Sequence, residues 1–236
     1  LTPTSQPSIA VRLSIIIPTL NESRHVAEAV RRAGALLPSD VTIADGGSND
    51  NTVALAAEAG CRIVTTAPGR ARQQNAAARH ADGDTLLFLH ADTWLPPVAH
   101  EQISLALSDA TVIGGAFRQR IDAPGLKFRA LEHGNAYRAR VLRLPFGDQG
   151  LFFRREVFER LGGFPEVDLL EDLLLSRAAR RVGKLALLPG PLNVSARRWL
   201  RHGVVRQTVR NWSFIVAERL GVSPDRLAKH YRRHDS

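Results

Sequence analysis

Four times before residue 100 the chain repeats one unit: a short apolar run, a break of turn-forming residues, then apolar residues at helical spacing. Leu13-Ser14-Ile15-Ile16-Ile17 stops at Pro18, and after Asn21-Glu22-Ser23 the residues Val26, Ala29, Val30, Ala33 and Leu37 recur at three- and four-residue intervals. Val41 to Ala44 ends at Asp45, Gly46-Gly47-Ser48-Asn49-Asp50-Asn51 has turn chemistry, and Thr52 to Ala59 reads as a helix closing on Gly60. Arg62 to Thr66 is followed by Pro68-Gly69 and a helix over Arg70 to His80. Leu86-Leu87-Phe88-Leu89 comes next, with a helix expected to begin near Pro97. Strands that are apolar throughout are buried on both faces, and their alternation with helices predicts an α/β fold with a mostly parallel sheet and helices on both sides.

The remainder is less regular. Strands are expected over 112–120, 150–153 and 185–188, and helices over 126–142, 156–161, 171–182, 204–220 and 224–231. Residues 1–11, rich in Pro, Ser and Thr, read as a flexible tail. Residues 12–200 form the expected domain, and 201–236 a helical extension packed on it.

In a parallel sheet the loops after successive strands share one edge, where open α/β sheets place their ligands. Glu22, Asp45 and Asp92 fall at or after the first, second and fourth strands, so three carboxylates converge on one crevice. Such a crevice suits a nucleotide with Mg²⁺ or Mn²⁺, because one or two carboxylates commonly hold these ions together with substrate phosphates. Arg70 and Arg72 open a helix and add positive charge beside it. Asp45 and Asp50, each taken alone, are explained as well by turn formation and helix capping; the convergence carries the argument.

Other chemistries are excluded or disfavoured. No glycine-rich dinucleotide fingerprint follows the first strand, and no P-loop occurs. The histidines show no zinc-ligand spacing with the single cysteine, Cys61, which also rules out an internal disulfide framework. A sugar-phosphate nucleotidyltransferase, the alternative enzyme class, usually carries a glycine-rich basic loop where this chain has Pro18-Thr19-Leu20-Asn21-Glu22. Net charge is uneven: residues 1–117 hold 8 Lys/Arg against 11 Asp/Glu, and residues 118–236 hold 24 against 12. A nucleic-acid-binding module would account for the basic half, but aromatic residues for base stacking are few, so nucleic acid is not an expected partner.

Together these residues resemble the family 2 glycosyltransferases of the GT-A fold. Ser14-Ile15-Ile16-Ile17-Pro18-Thr19-Leu20-Asn21-Glu22 is similar to the family's opening strand and loop, and Asp45-Gly46-Gly47-Ser48-Asn49-Asp50-Asn51-Thr52 to its second-strand motif. His90-Ala91-Asp92 stands where the family usually carries Asp-x-Asp, and Glu171-Asp172 resembles the acidic pair that holds its catalytic base. Gly69-Arg70-Ala71-Arg72-Gln73-Gln74-Asn75 and Phe146-Gly147-Asp148-Gln149-Gly150 look most like a branch of small soluble bacterial members found in radical-SAM and selenium or arsenosugar gene neighbourhoods.

The resemblance implies a Rossmann-like GT-A fold and inverting sugar transfer from a UDP- or GDP-sugar to a hydroxyl acceptor. It places Pro18, Thr19, Asn21, Glu22, Asp45 and Gly47 at the nucleoside, and Arg70 and Asn75 near the base or phosphates. His90, Ala91 and Asp92 fall at the diphosphate, with Asp92 as ligand of a divalent Mn or Mg ion. Asp172 becomes the general base. Asp148, Gln149, Glu171 and Arg198 fall on the sugar or acceptor side, where Arg198-Trp199 resembles the Arg-Trp pair of processive relatives.

Neither a signal peptide nor an apolar run near the eighteen residues of a membrane span is visible, so the expected location is cytoplasmic. The expected acceptor is a small molecule or lipid-linked. The terminal helices mix Val204, Val205, Val209, Trp212, Phe214, Ile215 and Leu220 with Arg201, Arg206, Arg210 and Arg219. That face is expected to pack on the domain or on a second copy as a homodimer, with peripheral seating at the inner face of the membrane as the alternative.

Overall fold

The structure, a computed structural model, describes residues 11–232. Its first half follows the strand and helix alternation: β1 (Leu13–Thr19), α1 (Val26–Gly34), β2 (Asp40–Asp45), α2 (Thr52–Glu58), β3 (Arg62–Thr65), α3 (Arg70–His80) and β4 (Thr85–Phe88). A short β5 (Thr93–Trp94) and α4 (Ala99–Leu107) follow, then a long β6 (Val112–Asp122) and α5 (Leu126–Val141). A 3-10 turn at Gly147–Gln149 leads into β7 (Phe152–Arg154), α6 (Arg155–Arg160), α7 (Glu171–Val182) and β8 (Lys184–Ser195). The chain finishes with α8 (Arg197–His202), α9 (Val204–Arg219) and α10 (Pro224–Arg232).

Among the described residues one sheet runs in the order β3-β2-β1-β4-β7-β6-β8-β5. The pairs β3·β2, β2·β1, β1·β4 and β6·β8 are parallel, whereas β7 is antiparallel to both β4 and β6, and β5 to β8. The expectation of a mostly parallel sheet holds.

Alternation along the strands fills both faces. Leu13, Ile15 and Ile17 of β1 and Leu87 of β4 pack with Val26, Ala29, Val30 and Ala33 of α1 and Ala99, Ile103 and Leu107 of α4. Ile16, Leu86 and Phe88 point the other way, against Ala71, Ala77 and Ala78 of α3, Val157 and Phe158 of α6, and Leu175 and Ala179 of α7. Phe88, Phe158 and Phe164 form an aromatic cluster with centroids 4.9 to 5.5 Å apart.

The largest departure from the sequence reading is β8, expected over 185–188 and observed to Ser195. Pro189-Gly190-Pro191 reads as a strand stop. The structure takes it up instead as a bulge between the pairs Phe117↔Leu188 and Gln119↔Leu192, where proline's missing N–H breaks no ladder bond. β5 and α8 were not anticipated; the first has only two residues and the second lacks an apolar stripe.

Joining the two halves of the sheet requires glycine. A Cβ on Gly115 would overlap the Ala186 carbonyl of β8, and one on Gly114 the Phe152 carbonyl and Phe153 ring of β7. Gly134 on α5, by contrast, faces open space. Gly115→Ala is therefore expected to cost about 1–3 kcal/mol by overpacking, whereas Gly134→Ala should stabilise by up to about 1 kcal/mol through helix propensity. Urea denaturation of both variants checks the pair of signs.

Candidate active site

The ends of β1 and β2 are level, with Thr19 paired to Asp45, and β4 runs alongside with Ile16 opposite Phe88. Their following loops therefore rise together. Asp45 is 1% exposed; its carboxylate accepts the N–H groups of Gly47 (2.8 Å) and Ser48 (2.9 Å) and the hydroxyls of Ser48 and Thr19. The turn reading of Asp45 is what these bonds display.

The loops after β1 and β2 are laced to each other. Asn21, at a φ of 56°, accepts the Asn49 N–H on its side-chain oxygen and donates its own N–H to Ser48 Oγ, both at 2.9 Å. The Glu22 N–H reaches Thr52 Oγ1, and the Ser23 N–H reaches Asp50. Gly47, with φ at 87°, makes the turn that exposes this edge. Pro18 lies partly buried beside Ala44. Beneath them the buried amide of Gln73 donates to the carbonyls of Thr19 (2.8 Å) and Ala44 (2.7 Å) and accepts from Gly69 N–H (3.3 Å).

After β4 the Thr93 N–H and hydroxyl both turn back to the His90 carbonyl, which presents Ala91 and Asp92 at the mouth of a cleft of about 260 Å³. Arg24, His25, Trp94, Asp122 and Arg197 also line it. Half-burial raises the carboxyl pKa of Glu22, opposed by His25 and reinforced by the negative field of Asp92. Glu22 and Asp92 thus share one electrostatic neighbourhood.

Across this edge stands the N-terminus of α7. Glu171 is buried and its carboxyl is raised by that burial, a rise opposed by Arg70, whose guanidinium lies 3.3 Å away, and reinforced by Asp172. Asp172 accepts the Gly147 N–H at 2.6 Å and the Leu173 N–H at 2.7 Å. A Cβ placed on Gly147 would meet Asp172 Oδ2 at 3.1 Å and His90 Nε2 at 3.6 Å. That shared point brings the end of β4 and the start of α7 together across one gap. Asp148 sits partly buried in the adjoining turn, its carbonyl accepting from Gln119 at 2.8 Å.

Two further residues expected at the site hold backbone in this structure. Asn75 is committed at both ends of its amide to the Phe164 backbone, donating to the carbonyl (2.8 Å) and accepting from the N–H (2.9 Å). Gln149 is fully buried, its oxygen accepting from Phe146 N–H and Arg138, both at 3.1 Å. Both brace backbone. The side chain of Arg198 lies outside the described residues.

Arg138, 6% exposed, was missed because an arginine on an amphipathic helix is ordinarily assigned to its solvated face. A signal was present: Arg138 shares helical spacing with Phe128, Leu131 and Asn135. Burial pulls its guanidinium down to about 10 against the fields of Asp148 and Asp172. Gln73 was likewise visible only as part of a motif.

The family model described as "Glycosyl transferase family 2" matches residues 14–162. Among curated relatives, the undecaprenyl-phosphate 4-deoxy-4-formamido-L-arabinose transferase of Sodalis glossinidius is 27% identical over 194 residues, covering 75% of this chain and 59% of that protein. The chain therefore spans less than two thirds of that relative. Among solved structures, the mannosyltransferase PcManGT of Pyrobaculum calidifontis, in complex with GDP-Man and Mn²⁺, superposes with a TM-score of 0.63 at 22% identity, over 91% of this chain and 66% of that one. Glucosyl-3-phosphoglycerate synthase of Mycobacterium tuberculosis, with Mn²⁺, UDP and glucosyl-3-phosphoglycerate, gives 0.57 at 20% identity, over 78% and 70%. These likenesses show the fold, a curled mostly parallel sheet flanked by helices.

Gln73→Leu keeps the volume but removes the donors from two strand-end carbonyls. It is expected to lower unfolding free energy by about 1–3 kcal/mol, the cost of a buried polar group left unmatched, as read by thermal or urea denaturation.

Proposed function

Because this chain belongs to glycosyl transferase family 2, we propose that it moves a sugar from a UDP- or GDP-sugar to an acceptor hydroxyl with inversion at the anomeric carbon. The observation that carries the reading is the approach of His90, two residues before Asp92 on the loop after β4, and of Asp172 at the start of α7 to one point at Gly147, whose N–H holds the Asp172 carboxylate.

In this scheme the nucleoside rests on the edge formed by Pro18, Thr19, Asn21, Glu22 and Gly47, with Asp45 holding that edge in shape. Arg70 lies at the rim, tethered to Glu171, where its charge favours the diphosphate. Asp172 takes the acceptor hydroxyl's proton as the oxygen attacks the anomeric carbon, and the bond to the diphosphate breaks with its electron pair leaving on phosphate oxygen. His90, Ala91 and Asp148 border the same space on the sugar side.

Among the described residues no cluster of three or more His, Cys, Asp or Glu side chains forms an all-protein metal cage. Asp92 with Glu22 nearby nevertheless fits Mn²⁺ or Mg²⁺, hard ions that take one or two carboxylates and complete their shell with phosphate and water oxygens. The Glu22 carboxyl, raised by burial and by the negative field of Asp92, is relieved by such an ion. When bound, it offsets the charge that develops on the departing diphosphate. The Mn²⁺ in the two solved neighbours supports this reading.

The name of the curated relative supports a lipid-phosphate acceptor. Residues 201–236 then act as an extension seated on the 12–200 domain. Arg177 of α7 pairs with Glu218 of α9 at 2.6 Å, and the Asp168 N–H donates to Asp225 of α10 at 3.2 Å. The outer face of α9 exposes Val209, Trp212, Val216 and Leu220, with exposed Arg206 and Arg219 at its flanks. Among the described residues no helix is long and apolar enough to cross a membrane. An apolar stripe edged by arginines suits instead the surface of an anionic bilayer.

Two experiments test these assignments. With a panel of UDP- and GDP-sugars and Mn²⁺, the wild type should show thermal stabilisation and slow donor hydrolysis. Asp92→Ala should lose the Mn²⁺-dependent part of the stabilisation, and Asp172→Asn should keep it while turnover falls about 10²- to 10⁴-fold; exchanged phenotypes would reverse the roles. Separately, the protein should pellet with anionic vesicles at low salt and release at high salt, and Trp212→Ser with Leu220→Ser should abolish pelleting. Loss of dimer in sedimentation without any vesicle binding would assign the face to a second copy.

A further inference from the structure

Arg138 takes no part in the chemistry above, yet it is a cation buried directly beneath the loop that grips Asp172. Its guanidinium donates to the carbonyl of Leu144, to Gln149 Oε1 at 3.1 Å and to Asn135 Oδ1 at 3.4 Å, and it lies over the Phe146 ring 3.4 Å from the centroid. Leu144, Phe146 and Gln149 all belong to the segment that carries Gly147. The same segment is fixed from outside by Ser176 Oγ on the Pro145 carbonyl at 2.7 Å and by Gln119 on the Asp148 carbonyl at 2.8 Å.

We propose that Arg138 is a positioning residue for Asp172: by clamping the 144–149 segment it fixes the Gly147 N–H, and through that bond the orientation of the Asp172 carboxylate. The inference rests on the reading of Asp172 as the base. A buried guanidinium is a costly brace, since a well-packed apolar side chain of similar size commonly gives equal or greater stability. Its presence is accounted for by what it serves. The carboxylates of Asp148 and Asp172 both lie in its field, so one side chain orients the segment and complements the anions gathered at it. A base displaced by a fraction of an ångström loses its alignment with the acceptor hydroxyl, which affects turnover and leaves donor binding on the far side of the gap untouched.

The test uses Arg138→Met, which keeps bulk without charge or donors, and Arg138→Lys, which keeps the charge without the planar fork. Arg138→Met should bind nucleoside diphosphate with wild-type affinity, leave the donor KM unchanged and lower kcat about 10- to 100-fold. Arg138→Lys should recover part of the loss. In an Asp172→Asn background, Arg138→Met should lower kcat no further, because the two act through one contact. An equal loss in both backgrounds would make Arg138 an ordinary core residue and overturn the proposal. The Gly147 amide proton provides a readout independent of turnover: its short bond to a carboxylate should place it downfield, and Asp172→Asn and both Arg138 variants should move it upfield. An unmoved Gly147 amide in Arg138→Lys overturns the proposal even if Arg138→Met fails to fold. A wild type that transfers no sugar, with the amide still responding to both positions, would retain the positioning and remove the base assignment alone.

Discussion

Every parallel strand that stops at the edge of a sheet leaves backbone groups without the ladder that satisfied them, and this chain answers that requirement with side chains. Gln73 closes on the ends of β1 and β2, Asp45 on the turn after β2, Asn75 on the backbone at Phe164, and Gln149 on the entry to its own turn. Gln73 and Asp45 are buried polar groups matched at close range, where an unmatched one costs on the order of 1–3 kcal/mol. The walls of the cleft are stiff for this reason, and the loops that face it have little freedom left to wander.

The same requirement explains which parts of the site were legible in the sequence. Strand ends and acidic residues beside them were readable because a run such as Leu86-Leu87-Phe88-Leu89 fixes both the strand and the place where it stops. The pairing of Asp172 with the end of β4 was reachable only through family resemblance, since it depends on α7 returning across the sheet some eighty residues later. The backbone contacts of Asn75 and Gln149 were not legible, because an amide that braces backbone and an amide that faces a ligand look alike in one dimension. Arg138 was hidden by the arginines around it. The fold was legible further, except where Pro189-Gly190-Pro191 masked the second half of β8.

The two halves of the chain contribute opposite walls. Residues up to Trp94 supply the crossed loops with Glu22 and Asp92, and those after Val112 supply the turn at Gly147 and the start of α7. Their junction is β7, three residues long and antiparallel to both neighbours, inserted where Gly114 and Gly115 let strands approach without side chains between them. That narrow splice joins the strand that leads to His90 to the half of the sheet that carries Gly147 and Asp172. The basic charge of the second half falls in part on α9, away from the splice, and in part at the cleft itself through Arg197.

The sheet also ends abruptly at both margins. On one side is β3, four residues long with exposed Arg62 and Thr65, and on the other β5, with two residues. Among the described residues β8, the long strand inside that margin, is paired on its outer side only at Asn193 and Val194, and the irregularity at Pro189-Gly190-Pro191 interrupts the rest, a device that blunts edge-to-edge polymerisation. At the concentrations of a crowded cell that interrupted edge, with prolines that lack an N–H to offer, is a poor template for a further strand.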